Sequence, residues 1–406
     1  MNRALFAGLS GTLAFQERMD VVGNNIANAN TVGYKESRTA FADALYETIE
    51  GGRSGGQAGI GGSNPVQIGS GVSLGAVSVQ HAQGSLERTG QRLDCAVEGE
   101  GMFVLSDGQG RYFSRDGSFT LDNTNTLVSS SSGHAVVGWK ATDGQVDASG
   151  DPARLSFDIS ALAPPIASSE ATIIGNLDST AAAGDSLATT ISIYDSLGEA
   201  HELELTFTKT ATVGEWECEA ACEGSTATTT MQFDSSGALT TGGSLPIDVA
   251  LTNGAASPQA VTVDLSDVTC LAQADTVAAQ SQNGCAAASL VSVEMSGNGL
   301  VMGHYSDGRS KTLGQIAMAG FTNPGGLRRV GNNLFAEGPA SGRASIGTAG
   351  TGGRGGIVAG SLEMSNVDLT RAFVDMITTQ RGFQASTRVI ATANEMMDEV
   401  VRLIRT

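Results

Sequence analysis

The clearest pattern of hydrophobic and polar positions lies near the C-terminal end of the chain. From Leu369 onward an apolar side chain recurs every seven residues, which predicts one face of a helix running to Ile404. Ser365 and Asp368 resemble an acidic capping box that would start this helix. The repeated apolar positions are Leu369, Met376, Phe383, Ile390, Met397 and Ile404.

A second row on the same predicted helix, four residues after the first, is apolar only at its two ends, Phe373 and Val401. Two interpretations are open: an ordinary core helix, or a seam buried against copies of the same chain. The terminal position of the helix, its length and the polar middle of its second row favour the self-assembly seam.

The N-terminal end predicts another amphipathic helix, from Arg3 to about Ala27. It stops in an Asn-rich run at residues 24–35, because Asn and Gly tolerate the left-handed backbone conformation that ends helices. We assign its apolar positions to the same seam: Leu5, Leu9, Leu13, Met19, Val22 and Ile26.

The middle of the chain favours β-structure. Apolar and polar residues alternate strictly at 191–195 and 201–209, as in half-buried strands. Asp-Gly pairs, which are typical of hairpin turns, lie between short apolar runs at 107–108, 116–117, 143–144 and 307–308.

Glycine tracts at 51–62 and 347–356 separate both helical ends from this middle and predict flexible connections. The predicted fold is mainly β, with discontinuous, nested outer domains and long N- and C-terminal α-helices pairing as a coiled-coil-like core. The predicted division is 1–30 with 361–406 as the terminal helical core, 31–69 with 346–360 as hinge segments, 70–146 with 286–345 as an inner β domain, and 147–285 as an inserted outer β domain.

The net charge of −19 over 406 residues is concentrated in the middle, while both ends are nearly neutral. An acidic centre facing water and ends packed against like chains explain this distribution, and a basic nucleic-acid footprint is absent. No run approaches the ~18 apolar residues of a membrane span, and the first ten residues lack a signal-peptide pattern. By that test alone we expect a cytoplasmic protein without membrane insertion.

The sequence offers little for catalysis. His81, His134, His201 and His304 show no metal-binding spacing, and no phosphate loop or nucleophile elbow is present. We therefore expect no enzyme activity, no cofactor and no metal. The cysteines allow two interpretations, buried small hydrophobes or a disulfide among the last four: Cys95, Cys218, Cys222, Cys270 and Cys285.

Three stretches resemble the bacterial flagellar axial proteins, the family of rod, hook and hook-associated proteins. They are LFAGLSGTLAFQERMDVVGNNIANANTVGYKESRTAF at the N-terminal end, GSLERTGQRLDCAVEGEGMFVL in the first β block, and the whole predicted C-terminal helix. IYDSLGEAHELELTFTKTATVGEWE resembles the inserted domain of hook members. Cys95 departs from the family pattern. The family motif maps onto Asn24, Asn25, Asn28, Gly33, Tyr34 and Lys35.

The resemblance implies a subunit that self-assembles into a flexible helical tube, joining the flagellar basal body to the filament as a universal joint. It implies contacts with copies of itself, with rod, hook-cap and hook–filament junction proteins, and with the flagellar export apparatus. Export without a cleaved signal would reconcile the missing signal peptide with an extracellular location. Alternatives are another axial component, such as a distal rod or junction protein, or a secreted β-rich adhesin.

Overall fold

The computed structural model describes residues 2–54, 61–142, 144–158 and 162–405. Long helices lie at both ends and strands fill most of the chain between them. The chain divides into two compact units. Unit 1 comprises Met1–Phe157, Val293–Met302 and Thr312–Thr406, and unit 2 comprises Asp158–Ser292 and Gly303–Lys311. The four-part division derived from the sequence stays a prediction.

The terminal helices are α1, Asn2–Ala27, and α2, Leu369–Arg405. The predicted capping box is wrong in one respect, because Asp368 itself caps α2. Its carboxylate Oδ1 accepts the backbone N–H groups of Thr370 at 2.9 Å and Arg371 at 3.2 Å. Neither described helix combines the length and apolar composition needed to cross a membrane.

The strands are numbered in chain order. The first group is β1 Ser37–Asp43, β2 Tyr46–Glu50, β3 Val66–Gly69, β4 Val72–Val79, β5 Leu86–Arg88, β6 Cys95–Glu98, β7 Met102–Ser106, β8 Arg111–Ser114, β9 Phe119–Leu121, β10 Leu127–Ser129, β11 Ala135–Thr142, β12 Gln145–Val146 and β13 Ala153–Arg154. The second is β14 Glu170–Asp178, β15 Ser186–Tyr194, β16 Ala200–Lys209, β17 Glu215–Cys222, β18 Ser225–Phe233, β19 Leu239–Thr241, β20 Ser244–Val249, β21 Gln259–Leu271 and β22 Ala278–Gln282. The third is β23 Leu290–Met295, β24 Leu300–Tyr305, β25 Ser310–Ile316, β26 Met318–Gly320, β27 Arg328–Gly331, β28 Leu334–Ala336, β29 Ser345–Gly347, β30 Gly356–Ala359 and β31 Ser361–Glu363.

The β-structure of unit 1 brings both ends of the chain to one place. β7 pairs with β8, β11 and β26 over a core that includes Phe113, Trp139 and Phe335. β1, which follows α1, pairs with β4, and β31, which precedes α2, pairs with β5. The segment leaving α1 and the segment entering α2 are therefore both tied into short strand pairs.

The C-terminal glycine tract is held in place by an arginine. Arg354 Nε donates to the Thr348 carbonyl at 3.1 Å, and its Nη2 donates to the Thr351 hydroxyl at 2.8 Å. The flexibility predicted for 347–356 is therefore restricted by side-chain bonds. Residues 55–60 of the N-terminal tract lie outside the described residues.

Unit 2 contains two sheets around a shared core. β15 to β19 form an antiparallel sheet, and β20, β21, β14 and β22 form the other, in which β14 and β21 are parallel. Alternation along β16 buries Leu203, Leu205 and Phe207 and leaves the residues between them exposed or half-buried, as the sequence predicts.

All five cysteines are free thiols, so the disulfide alternative is wrong for this structure. The interpretation as small buried hydrophobes is confirmed for Cys95, Cys218, Cys222 and Cys270, whereas Cys285 is half-buried. Burial raises the pKa of Cys218 to about 12, so this thiol stays protonated and unreactive.

Several surface turns share one local device, an aspartate bonded to the serine or threonine two residues later. In Asp147–Ser149, Asp178–Thr180 and Asp234–Ser236 the carboxylate accepts both the hydroxyl and the backbone N–H of that residue. The hydroxyl and the N–H together lower the pKa of each aspartate. An aspartate whose pKa is lower in the folded than in the unfolded chain stabilises the fold at pH values above its unfolded pKa. That stabilisation is lost as the pH falls through the folded pKa.

We therefore expect the melting temperature of the monomer to fall as the pH drops below about 4, where unfolded aspartates begin to protonate. Asp234→Asn keeps the acceptor oxygen without a titrating proton, so it should reduce this acid sensitivity, whereas Asp248→Asn at an exposed position of β20 serves as the control. Calorimetry between pH 3 and pH 7 measures both. Equal acid sensitivity in the wild type and Asp234→Asn would contradict the assignment.

Candidate functional site: the terminal helix pair and the buried charge cluster beside it

α1 and α2 pack against each other along two rows of α2. One row is small, with Ala372, Thr379 and Ala393 almost fully buried and Ser386 half-buried between them. The other row is large and half-buried: Met376, Phe383, Ile390 and Met397. Its first three members lie three residues before Thr379, Ser386 and Ala393, respectively. This alternation of large and small side chains is a heptad pattern with a narrow seam.

The helices approach closely because glycines stand at the crossing. A Cβ added at Gly8 would lie 2.8 Å from Ile390 Cγ1, and one added at Gly11 would lie 2.9 Å from Ser386 Oγ. From the other side, a Cβ at Gly382 would lie 2.5 Å from the ring of Phe15. No side chain larger than hydrogen fits these positions without movement.

The predicted seam residues divide into two sets. On α2, Met376, Phe383, Ile390 and Met397 are half-buried, and on α1 Val22 is buried while Leu5, Met19 and Ile26 are half-buried. The side chain of Ile404 lies outside the described residues. The structure leaves the other set exposed on the single chain: Leu9 49%, Leu13 55%, Leu369 42%, Phe373 51% and Val401 49%.

The Asn-rich motif fastens the end of α1 to the first strand. Asn25, which is 2% exposed, accepts the Tyr34 hydroxyl at 3.1 Å and the Ser37 N–H at 3.0 Å through Oδ1. Its Nδ2 donates to the Ser37 carbonyl at 2.7 Å. Asn24 donates to the Tyr34 hydroxyl, and Asn28 donates back to Asn24. The amides of Asn24 and Asn25 therefore join the last turn of α1 to Tyr34 and to the first residue of β1.

Gly33 lets the chain turn back toward the C-terminal segment. Its φ of +68° lies in the left-handed region, and a Cβ there would stand 2.6 Å from the backbone nitrogen of Asp116. Its N–H donates to the Glu363 carbonyl at 2.7 Å.

Lys35, the last residue of the motif, belongs to a buried charge cluster with Glu363 and Arg115. The Lys35 ammonium lies 2.6 Å from Glu363 Oε1, and Arg115 Nη1 lies 3.1 Å from Oε2. The side chains of Lys35 and Glu363 are 0% exposed, and that of Arg115 is 5% exposed. The Gly84 N–H also donates to Oε1 at 2.8 Å. Both carboxylate oxygens are thus bonded.

Each of the two cations also donates to a backbone carbonyl. Lys35 donates to Ala82 at 2.8 Å, and Arg115 donates to Gly99 at 2.7 Å. Burial lowers the pKa of Lys35 and that of Arg115, and Glu363 opposes this change by favouring both charged forms. His81, which lies near these cations, has its pKa lowered to about 4 by burial and by their charge, so it is neutral at pH 7.

The cluster binds together segments that are far apart in sequence. Glu363 ends β31, six residues before α2 begins, and Lys35 is the last residue of the Asn-rich motif, eight residues after the end of α1. Because their charges pair inside the β-structure of unit 1, the ends of both helices next to that structure are fixed to one point. The carboxylate and the two cations are bonded to one another and to backbone groups. The cluster therefore joins the two segments of the chain rather than presenting a reactive atom.

A second polar cluster lies in unit 2. Asp195, Glu199 and His201 bring ligand-type atoms within 4.8 Å of one another, which is a geometry that could hold a metal ion. The Asn253 amide occupies that space, donating to Asp195 Oδ2 at 2.5 Å and to Glu199 Oε2 at 2.7 Å. An amide N–H₂ bridging two carboxylates takes the position that a cation would need.

Comparison with known proteins gives matches along most of the chain. Four family models match: Flagella basal body rod protein over 5–35, Flagellar hook protein FlgE/F/G D1 domain over 96–162, Flagellar basal body protein FlaE D2 domain over 161–285, and Flagellar basal body rod FlgEFG protein C-terminal over 358–403.

Whole-chain relatives agree with these matches. The chain is 34% identical to the flagellar hook protein FlgE of Treponema pallidum over all of both chains. It is 35% identical to the flagellar hook protein FlgE of Borreliella burgdorferi over 99% of this chain and 100% of that one. The crystal structure of Helicobacter pylori flagellar hook protein FlgE2 matches with a TM-score of 0.48 and 14% identity, covering 69% of this chain and 99% of that chain.

Glu363→Gln is expected to destabilise unit 1 strongly, because it leaves Lys35 and Arg115 buried without a compensating charge. The cost expected for breaking a buried pair is about 3–5 kcal/mol. Urea denaturation of the full chain measures it, with Glu98→Gln on the exposed end of β6 as the control. The combined change of Lys35, Arg115 and Glu363 to Met should recover part of the loss. A Glu363→Gln variant as stable as the control would show that the cluster contributes no such energy.

Gly8→Ala and Gly23→Ala form a matched pair within α1. Alanine raises helix propensity at both sites by about 1 kcal/mol. A Cβ at Gly23 meets nothing within 4 Å, whereas at Gly8 it meets Ile390 and the Ser386 carbonyl. We expect Gly23→Ala to slow amide hydrogen exchange in α1 and Gly8→Ala to accelerate it in both helices. Slowed exchange in both variants would refute the close crossing.

Proposed function

The chain belongs to the flagellar hook protein FlgE family, and from this membership we propose that it is a structural subunit of the bacterial flagellar hook. The observation that carries the proposal is similarity to hook proteins at 34% and 35% identity along essentially the whole chain. In this proposal identical copies assemble into a helical tube that passes motor torque to the filament as a universal joint. The role is structural rather than catalytic.

The exposed apolar side of the helix pair supports self-assembly. On α1, Phe6 is 65%, Leu9 49% and Leu13 55% exposed, and on α2, Phe373 is 51% and Ile377 57% exposed. Exposed apolar residues at this density mark an interaction surface. Burying each such side chain is worth about 1.5–3 kcal/mol, so packing against neighbouring copies would stabilise a polymer at every subunit.

The β2–β3 hairpin supplies further unburied apolar surface. Leu45, Tyr46, Ile49, Val66 and Ile68 are between 41% and 82% exposed. Every residue of both strands is exposed, although an isolated two-stranded hairpin is at best marginally stable in water. An ion pair between Arg3 and Glu47 links this hairpin to the first turn of α1. We propose that copies of the chain cover the hairpin together with the helices.

The proposal also covers partners and location. We propose that the chain contacts rod, hook-cap and hook–filament junction proteins, passes through the flagellar export apparatus without a cleaved signal, and ends outside the cell. A rod or junction protein is the nearest alternative. The match to the FlaE D2 domain over 161–285, together with the whole-chain hook relatives, favours the hook.

Phe373→Glu tests the assembly surface while leaving the contact between α1 and α2 unchanged. Phe373 is 51% exposed on the single chain, so the monomer should keep its stability, while a charge in the packed layer between copies should prevent tube formation and motility. Electron microscopy of the purified protein and swimming assays measure these effects.

Thr378→Glu is the matched control, because Thr378 lies on an exposed row with Arg371 and Glu399 and should tolerate the same change. If the Phe373→Glu variant forms normal tubes, the face of α2 that contains Phe373 is not part of the assembly surface. Failure of the wild-type protein to form tubes at all would instead count against the proposed function.

A further inference from the structure

Three loops meet at one end of unit 2 around a histidine. The β15–β16 turn contributes Asp195 and Glu199, the β17–β18 turn contributes Glu223, and the β20–β21 loop contributes Asn253. His201 on β16 lies among them. Its Nε2 is 3.2 Å from Asp195 Oδ2, and its Nδ1 is 3.3 Å from Glu223 Oε1.

The geometry favours a proton on both ring nitrogens of His201. Each nitrogen faces a carboxylate oxygen, and an ionised carboxylate only accepts hydrogen bonds. Imidazolium can donate to both acids, whereas neutral imidazole can donate to one and must turn a lone pair toward the other. Two negative charges facing one ring therefore favour the charged form.

Burial differs sharply between the two acids. The Asp195 side chain is 0% exposed and that of His201 is 9% exposed, whereas that of Glu223 is 54% exposed. Asp195 is held further by N–H groups of Leu197 at 2.8 Å and Glu199 at 2.9 Å. The bond to Glu223 is consequently the weaker of the two and the one that can open.

We infer that Asp195, His201 and Glu223 form a proton-controlled latch, which holds the β17–β18 turn against the β15–β16 turn when His201 is charged and releases it when His201 is neutral. The loop around Asn253 stays joined to Asp195 and Glu199 in both states, because its amide contacts do not involve His201. The latch therefore acts on one turn, not on the fold of the whole unit.

The direction of the pH effect follows from the charges. Burial alone would lower the pKa of His201, but the hydrogen bonds with Asp195 and Glu223 outweigh it and raise the pKa. Burial acts to raise the pKa of Asp195, but hydrogen bonds from Asn253, His201 and the turn N–H groups hold it at about 2. Asp195 therefore stays charged, and the latch is closed below about pH 6.5 and opens as the pH rises through the raised pKa of His201.

NMR titration of the full-length monomer tests the latch, with the His201 ring signals assigned by comparison with His201→Gln. The His201 pKa should lie above 6.5, and Glu223→Gln should lower it by roughly half a pH unit, the size expected for a half-exposed pair. Glu217→Gln, on the exposed face of β17, should leave it unchanged. A wild-type value at or below 6.5, or no response to Glu223→Gln, would overturn the proposal.

Hydrogen exchange provides a second measurement that a purely structural histidine would not affect. After correction for the intrinsic rate, protection at residues 223–225 should fall between pH 5.5 and pH 8.5 in the wild type and should be independent of pH in His201→Gln. The turn at 234–238, which is closed by Asp234, is the internal control. Equal protection of 223–225 at both pH values in the wild type would refute release of the turn.

Discussion

The interaction on which the arrangement of unit 1 depends is the pairing of buried Glu363 with Lys35 and Arg115. A carboxylate with no exposure to water must be neutralised where it stands, because the cost of removing it from water is several kcal/mol. Lys35 lies in the segment that follows α1, and Glu363 lies in the segment that precedes α2. Neither segment can move away without leaving a charge buried and unpaired, so the helix pair is anchored to the β-structure by electrostatics as well as by packing.

The same constraint explains the surroundings of the cluster. Gly33 brings the α1 side of the chain close enough for its N–H to reach the Glu363 carbonyl, which a side chain at that position would prevent. Asn25 and Tyr34 then fix the helix end, so that the motif acts as one unit from α1 to β1. A polymer that transmits torque needs such a stiff connection between its helical and β parts. A compliant connection would twist elastically under the torque instead of transmitting it.

Sequence reasoning located the helices to within about one residue, because long amphipathic periodicity is a strong local signal. The row of α2 that is buried was not among the positions it singled out, however. The row that packs is Ala372, Thr379, Ser386 and Ala393, whose small or polar side chains carry almost no hydrophobic signal. Their contribution is to permit close approach to Gly8 and Gly11, which depends on the partner helix and cannot be seen in one helix alone. Likewise, the family resemblance indicated Lys35 but not Glu363, since one buried acid among 42 acidic residues has no distinguishing sequence pattern.

The inner and outer sides of the helix pair have different roles, one in holding α1 to α2 and the other in assembly. Where α1 meets α2, small residues and glycines give a contact that a single chain can complete, and Arg18 pairs with Asp375 across it at 3.2 Å. On the outside, Phe6, Leu13 and Phe373 remain in water, which costs free energy until another surface covers them. A chain with only the contacts between α1 and α2 would stay monomeric. A chain with only the exposed apolar residues would have no defined surface for another copy to bind. The paired helices give the outer residues a fixed spacing before assembly, which lowers the entropy lost when copies pack together.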